Sequence, residues 1–234
     1  MFLYAAFLND KLFHMKLMKI GGFLLFFLTT SLMSGQQSLV YAHDNSDFKR
    51  AKELFTSKKY VAAQRKFKKV FDRVEEPHSE VKMNSEYYIA VCALELFNPD
   101  AEQLLVSFVE SNPQSPKIPK AKFQLGQYNY LKKRWTPAIK WFEQVDENDL
   151  KIKELPEYYF KYGYSLFRKK RYSEAQKLFH KSKSIISDYQ KSSQFYFAHL
   201  SYKFNYNETA YKEFKSLEND SVFATIVPYY ITQI

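Results

Sequence analysis

Glycine is nearly missing from this chain. Five occur in 234 residues, and beyond residue 42 only Gly126 and Gly163 remain. That scarcity excludes Gly-rich phosphate-cradling loops and argues against a turn-dense β architecture. Cysteine is scarcer still: Cys92 stands alone, so there is no internal disulfide framework. It lies between Ala90 and Ala93 in an apolar stretch without a basic neighbour, where a small buried hydrophobe is expected rather than a reactive thiol. Beyond residue 42 the histidines (His43, His78, His180, His199) are scattered with no metal-ligand spacing. No catalytic residue, metal or cofactor is expected, and the chain does not read as an enzyme.

Aromatic residues are what the chain has in excess, with 22 Phe and 19 Tyr, and they recur in a fixed register. Around Gly126 stand Phe123 at minus three, Tyr130 at plus four, Trp135 at plus nine, Ala138 at plus twelve, Phe142 at plus sixteen and Val145 at plus nineteen. Around Gly163 the same slots hold Phe160, Phe167, Tyr172, Ala175, Phe179 and Ser182; around Ala51 they hold Phe48, Phe55, Tyr60, Ala63, Phe67 and Val70. Around Ala198 they hold Phe195, Tyr202, Ala210, Phe214 and Leu217, with Asn207 at plus nine. A degenerate copy around Ala90 has Tyr87, Leu94, Ala101, Leu105 and Phe108, its second half one residue closer in. A register returning every 35 to 39 residues is the signature of stacked helix pairs.

Within each repeat the small residue and the rings at minus three and plus four share one helical face. Ala and Phe four apart line the second helix, and the plus-nine aromatic is placed to cap the seam. The spacing predicts helices over 46–57, 60–73, 80–97, 100–111, 117–132, 137–146, 155–169, 173–187, 190–204, 207–218 and 221–234. All eight prolines fall at expected helix boundaries, with Asn98–Pro99 and Thr136–Pro137 read as N-cap and first helical residue. The fold class expected is an all-α solenoid of tandem antiparallel helix pairs over 43–234. Its units lie near 44–77, 80–113, 117–150, 155–188 and 190–220, followed by the first helix of a sixth at 221–234. Since a solenoid normally closes on a polar capping element, that unpaired helix reads as the start of more protein.

Residues 1–42 read differently. Lys16 and Lys19 precede an apolar run from Ile20 to Met33, and Val40-Tyr41-Ala42 closes the segment. This is the pattern of a signal peptide, with Met15 or Met18 a better start than Met1. The run is short for a membrane span, although an uncleaved anchor in the inner membrane is the alternative. No cysteine stands at the cleavage site for lipid attachment. Net charge is +10, and the part beyond residue 42 keeps 32 basic and 24 acidic side chains. On an exported chain that excess points to anionic envelope surfaces or to solubility, not to nucleic acid.

The small residue, the plus-nine aromatic, the plus-twelve Ala and the plus-sixteen Phe resemble the tetratricopeptide repeat (TPR) family over about 44–234. In its exported setting the chain looks similar to periplasmic and outer-membrane-associated members linked to outer-membrane assembly and envelope cell division. The resemblance implies a right-handed superhelix whose first helices line a concave groove for peptides or partner proteins. Groove residues would then be Phe48, Phe55, Tyr87, Phe123, Gln127, Tyr130, Phe160, Tyr164, Phe167, Phe195, His199 and Tyr202. Packing between first helices competes for most of those rings, leaving the Tyr hydroxyls, Gln127, Tyr164 and His199 for contacts. A second candidate is a basic edge at the turns inside three repeats: Lys58, Lys59, Lys132, Lys133, Arg134, Arg168, Lys169, Lys170 and Arg171. It would meet anionic headgroups or an acidic partner, or simply be solvated. The expected function is a non-enzymatic interaction scaffold of the periplasm or cell envelope, with protein or peptide partners and no small-molecule substrate. The alternative is an N-terminal recruitment domain of a longer exported enzyme or transport or secretion component.

Overall fold

The computed structural model describes residues 45–77 and 79–234; the proposed signal segment and His43 and His78 lie outside the described residues. Eleven α-helices and two 3-10 turns appear among the described residues, without a β-strand. They are α1 (45–56), α2 (Tyr60–Arg73), α3 (Glu80–Glu95), α4 (Ala101–Ser111), α5 (Ile118–Leu131), α6 (Trp135–Phe142), α7 (Leu155–Arg168), α8 (Tyr172–Lys183), α9 (Gln190–Lys203), α10 (Asn207–Lys215) and α11 (Val227–Gln233). None is long and apolar enough to cross a membrane. The chain forms two compact units, one ending at Ser85 and one running from Glu86 to Ile234.

In the first unit, Ala51, Ala63, Phe67 and Val70 are buried between α1 and α2, and the Phe48 ring lies 5.5 Å from Phe67. Arg73 donates to Asp47 at 2.7 Å, joining the far ends of the hairpin, and Lys82 donates to the Val74 carbonyl just past α2. The second unit is a series. Its principal helix contacts join neighbours in sequence from α4 to α11, and α5 also packs on α7. Its cores overlap in the same way. One gathers Phe123, Phe142, Val145 and Tyr158; the next Ile139, Leu166, Phe179 and Leu200; the last Ala198, Phe214, Leu217 and Val227.

One ring contact recurs in every repeat. The minus-three aromatic packs on a buried Phe of its own second helix: Phe48 on Phe67, Phe123 on Phe142, Phe160 on Phe179 and Phe195 on Phe214, at centroid distances of 5.5, 6.2, 6.0 and 5.8 Å. In the degenerate repeat Tyr87 meets Phe108 at 5.4 Å. The small-residue slot exists for this ring. A Cβ on Gly126 would stand 2.5 Å from the Phe142 ring, and one on Gly163 would stand 3.2 Å from Leu178 and Phe179.

The turn inside each repeat is equally regular. Lys58, Phe97, Lys133, Lys170 and Asn205 all have φ near +60°, and each lies seven residues after its repeat's small residue. At Lys133 the N–H bonds the Tyr130 carbonyl and the next N–H, of Arg134, bonds that of Asn129, both at 2.9 Å. The same pair of bonds closes the other four turns. This is the left-handed helix stop that usually takes glycine, here built without one.

Several helix limits differ from expectation. Trp135 opens α6 with Pro137 as third residue, and α4 begins at Ala101 after Asp100, so neither Thr136 nor Asn98 is the N-cap. Helix α6 ends at Phe142, where the Tyr158 hydroxyl reaches the freed carbonyl at 3.2 Å, and 3-10 turns over Glu147–Asp149 and Ile152–Glu154 follow. Residues 221–226 are turns, and α11 starts only at Val227. Pro119, Pro156 and Pro228 are the second residues of α5, α7 and α11, positions that need no N–H.

Candidate partner-binding face

Eight of the twelve groove candidates divide into three kinds. Phe123 and Tyr87 are core: Phe123 is 0% and Tyr87 5% exposed. Their surface is spent inside the hairpins, so neither offers a ring to a partner. Phe48, Phe160 and Phe195 are half-buried, with one side taken by the hairpin ring described above. At plus four, Phe55, Tyr130 and Phe167 lean edge-on or tilted against the plus-nine rings Tyr60, Trp135 and Tyr172 at 5.5 to 5.7 Å. The seam-capping role expected of the plus-nine aromatic is met in those three repeats.

The remaining candidates converge. Tyr130, Trp135 and Tyr164 form a triangle of T-shaped contacts at 5.6 to 5.8 Å. Tyr164 continues to Phe160, Phe167 and Tyr196; Phe167 continues to His199; and His199 meets Tyr230, which also contacts Phe195 and Tyr202. A half-buried band of rings therefore runs unbroken over α5, α7, α9 and α11. Gln127, on α5, is half-buried one residue after Gly126, and no ring contact involves it. Tyr196 and Tyr230 belong to the band yet escape the sequence pattern; Tyr196 stands at minus two, which holds Gln124 and Lys161 in the preceding repeats. Proline spacing could have found Tyr230. It stands two residues after Pro228 as Tyr158 stands after Pro156, and it packs on Phe214 and Phe195 as Tyr158 packs on Phe142 and Phe123.

The band is electrically neutral. Burial, then the adjacent Tyr164, push the Tyr130 hydroxyl up to about 12, and the Tyr196 hydroxyl is raised for the same reasons. These hydroxyls act as hydrogen-bond groups on apolar rings. His199 is held below the usual histidine range by burial and by Lys203, and its Nδ1 is buried without a partner. Such an imidazole is kept neutral.

Cations of the basic edge are largely engaged. Arg134 donates to Glu102 at 2.7 Å, and Arg171 to Glu143 at 2.9 Å and Glu174 at 2.7 Å. Arg168 lies 5.0 Å over Trp135, and Lys132 lies 5.5 Å over Tyr128. Lys58, Lys59, Lys133, Lys169 and Lys170 are exposed, and among the described residues Lys133, Lys169 and Lys170 have no carboxylate within 4 Å. The arginines serve the joints between repeats rather than a free stripe. Cys92 is fully buried, its thiol pushed up to about 12 by burial and by Glu95. Among the described residues no cluster of His, Cys, Asp or Glu is placed to hold a metal ion.

No family profile matches the sequence, and no curated protein does. Solved structures do match. MamA from AMB-1 superposes with a TM-score of 0.59 at 16% identity, over 80% of this chain and 98% of that one. A putative kinesin light chain from Podosopora anserina, with nearly identical TPR-like repeats, gives 0.54 at 13% identity, over 74% and 92%. The fold is a TPR-like helical solenoid. PilF from Pseudomonas aeruginosa gives 0.55 at 17% identity, over 74% of this chain and 73% of its own. Identities of this size make the likeness one of fold.

Proposed function

We propose that this TPR-like protein is a non-enzymatic scaffold of the periplasm or cell envelope that holds partner proteins or peptides on the first helices of its repeats. One observation carries the reading: the half-buried band from Tyr130 to Tyr230 is continuous across four helices and is not consumed by the cores beneath it. Large rigid rings with neutral hydroxyls give contact area at low entropic cost, the chemistry of interface hot spots. An extended or helical segment with apolar anchors fits such a band. The envelope setting rests on the basic start and short apolar run of residues 1–42. Exposed lysines at 133, 169 and 170 supply a weak attraction to anionic surfaces beside the band.

Crosslinking in intact cells followed by mass spectrometry tests both halves. The expected partners are envelope proteins whose crosslinks fall on α5, α7 and α9, and fractionation should recover the protein outside the cytoplasm. Replacing Tyr130 and Tyr164 together by Ala should abolish those crosslinks while the thermal midpoint falls only a few degrees. Partners that persist in that variant, or crosslinks confined to cytoplasmic proteins, would defeat the proposal.

A further inference from the structure

The joints between successive repeats of the second unit are not alike. Between the second and third repeats Glu102 of α4 takes Arg134, eight residues after the small residue of the next repeat. Between the third and fourth, Glu143, just past α6, takes Arg171 in the same slot. Beneath that second clasp, Ile139 and Tyr162 fill the space, Ile139 being 5% exposed. Between the fourth and fifth repeats every one of these parts is replaced. His180 stands where Glu143 stood, Tyr206 where Arg171 stood, Gln176 where Ile139 stood and Phe197 where Tyr162 stood.

The result is an open cleft of about 540 Å³ between α8 and α10, both of which pack on α9. Phe197 and Ser201 belong to α9; Gln176, Lys177, His180 and Lys181 line one wall, and Tyr206 and Thr209 the other. Its apolar surface is an aromatic face, with the His180 ring 5.3 Å from Phe197 and Lys183 4.9 Å above it. No carboxylate lines it. Among the described residues Lys177 has no salt bridge, Tyr206 is 60% exposed, and the clasp acid of the preceding joint is gone. A volume of this order holds two or three large side chains.

We infer that this cleft docks an acidic peptide segment bearing one aromatic or large aliphatic side chain. The apolar side chain would seat against Phe197, and its flanking carboxylates would meet Lys177 and His180. The charge is complementary: Lys177 lines the cleft with no carboxylate partner among the described residues, Lys181 is held at 2.7 Å by Glu147 from outside the lining, and a partner carboxylate would restore the charge that Glu143 supplies one repeat earlier. This site lies between the second helices α8 and α10, with Phe197 and Ser201 supplied by the first helix α9, and its lining shares no residue with the aromatic band.

Fluorescence anisotropy with a labelled octapeptide, one Phe among Asp and Glu, tests it on the whole protein. Binding should weaken at least tenfold between 50 and 500 mM salt, about as screening of a charged rim requires. It should also weaken at least tenfold when the Phe becomes Ala and vanish when the acids become Lys. In the protein, Lys177→Glu with His180→Glu should cost at least tenfold. Rebuilding the earlier joint with Gln176→Ile, His180→Glu and Tyr206→Arg should close the cleft, abolish binding and raise the melting temperature. Equal binding of the Lys peptide, or undiminished binding by the rebuilt variant, would overturn the inference. So would absence of peptide binding with retention on phosphatidylglycerol vesicles, which would assign these cations to a lipid surface.

Discussion

Lys133 and Lys170 hold a backbone conformation that penalises any residue with a Cβ, by about 1–2 kcal/mol. Glycine would remove that penalty while losing more entropy on folding, so Lys133→Gly and Lys170→Gly should each stabilise by about 0.5–1 kcal/mol. Asn205→Gly should gain less, since Asn tolerates the left-handed region; chemical denaturation of the three variants gives the ranking. The two helical glycines behave oppositely. Gly126→Ala drives a methyl to within 2.5 Å of the fully buried Phe142 ring, and the overpacking cost of about 1–3 kcal/mol outweighs about 1 kcal/mol of helix propensity. At Gly163 the nearest atoms stand 3.2 Å away, so Gly163→Ala should be close to neutral. A titration effect belongs to this scale as well. Folding lowers the affinity of His199 for a proton, whereas the unfolded chain takes one up near the ordinary histidine value. Stability should therefore be full above about pH 6.5 and fall as the pH drops below it. His199→Gln should flatten that part of the curve in thermal melts at pH 5 to 8, and an unchanged slope would place the dependence elsewhere.

Between helices, the joints vary from repeat to repeat more than the hairpins do. Cations five residues after the small residue reach back to the preceding repeat's plus-nine ring: Arg168 to Trp135 at 5.0 Å and Lys203 to Tyr172 at 4.8 Å. Each contact is worth about 0.5–1 kcal/mol at an exposed site. The Glu102 clasp has a further consequence, because its carboxylate also accepts the Asn129 amide at 2.9 Å, and Asn129 is 0% exposed. Glu102→Leu should cost about 1–3 kcal/mol by stranding a buried donor, whereas Arg134→Leu loses an exposed pair and a contact 5.6 Å over the Tyr128 ring, each worth at most about 1 kcal/mol. Equal effects of the two variants in urea titrations would mean that the amide finds water instead. These joints also mark the limit of what the sequence discloses. The slots at minus three, plus twelve and plus sixteen were legible because each repeat uses the same residue type for the same contact. The left-handed turn at plus seven was not, because Lys, Phe and Asn fill it and share no chemistry, only a position. The aromatic band was half legible: the pattern named Tyr130, Tyr164, Phe167 and His199, which the ring contacts join, but exposure, which separates Phe123 and Tyr87 from them, is not a periodic property. The clasps and the open fourth joint depend on pairs about thirty residues apart that change from repeat to repeat.

From α5 to α11 three cores follow one another in series and none of the three is central, so stability there should behave as a sum of neighbouring terms. Helix α11 covers the core of α9 and α10 from one side: Val227 is fully buried in that core, and Tyr230 stacks on Phe214 at 4.8 Å and meets Phe195 at 5.9 Å. Removing residues 221–234 uncovers Phe195 and Phe214 and deletes the Phe223 ring stacked 4.9 Å from Phe195. The loss should be local. Amide hydrogen exchange in α9 and α10 should accelerate by at least a hundredfold, while α5 and α6, which share no core with α11, change less than threefold. A uniform acceleration from α5 to α10 would mean that the unit unfolds around one cooperative centre, and the nearest-neighbour account would fail. The same truncation bears on the aromatic band, because Tyr230 is where the rings of α9 converge. A partner that spans the band should lose affinity, whereas one confined to Tyr130, Trp135 and Tyr164 should not, so the truncation also measures how far along the solenoid a bound segment reaches.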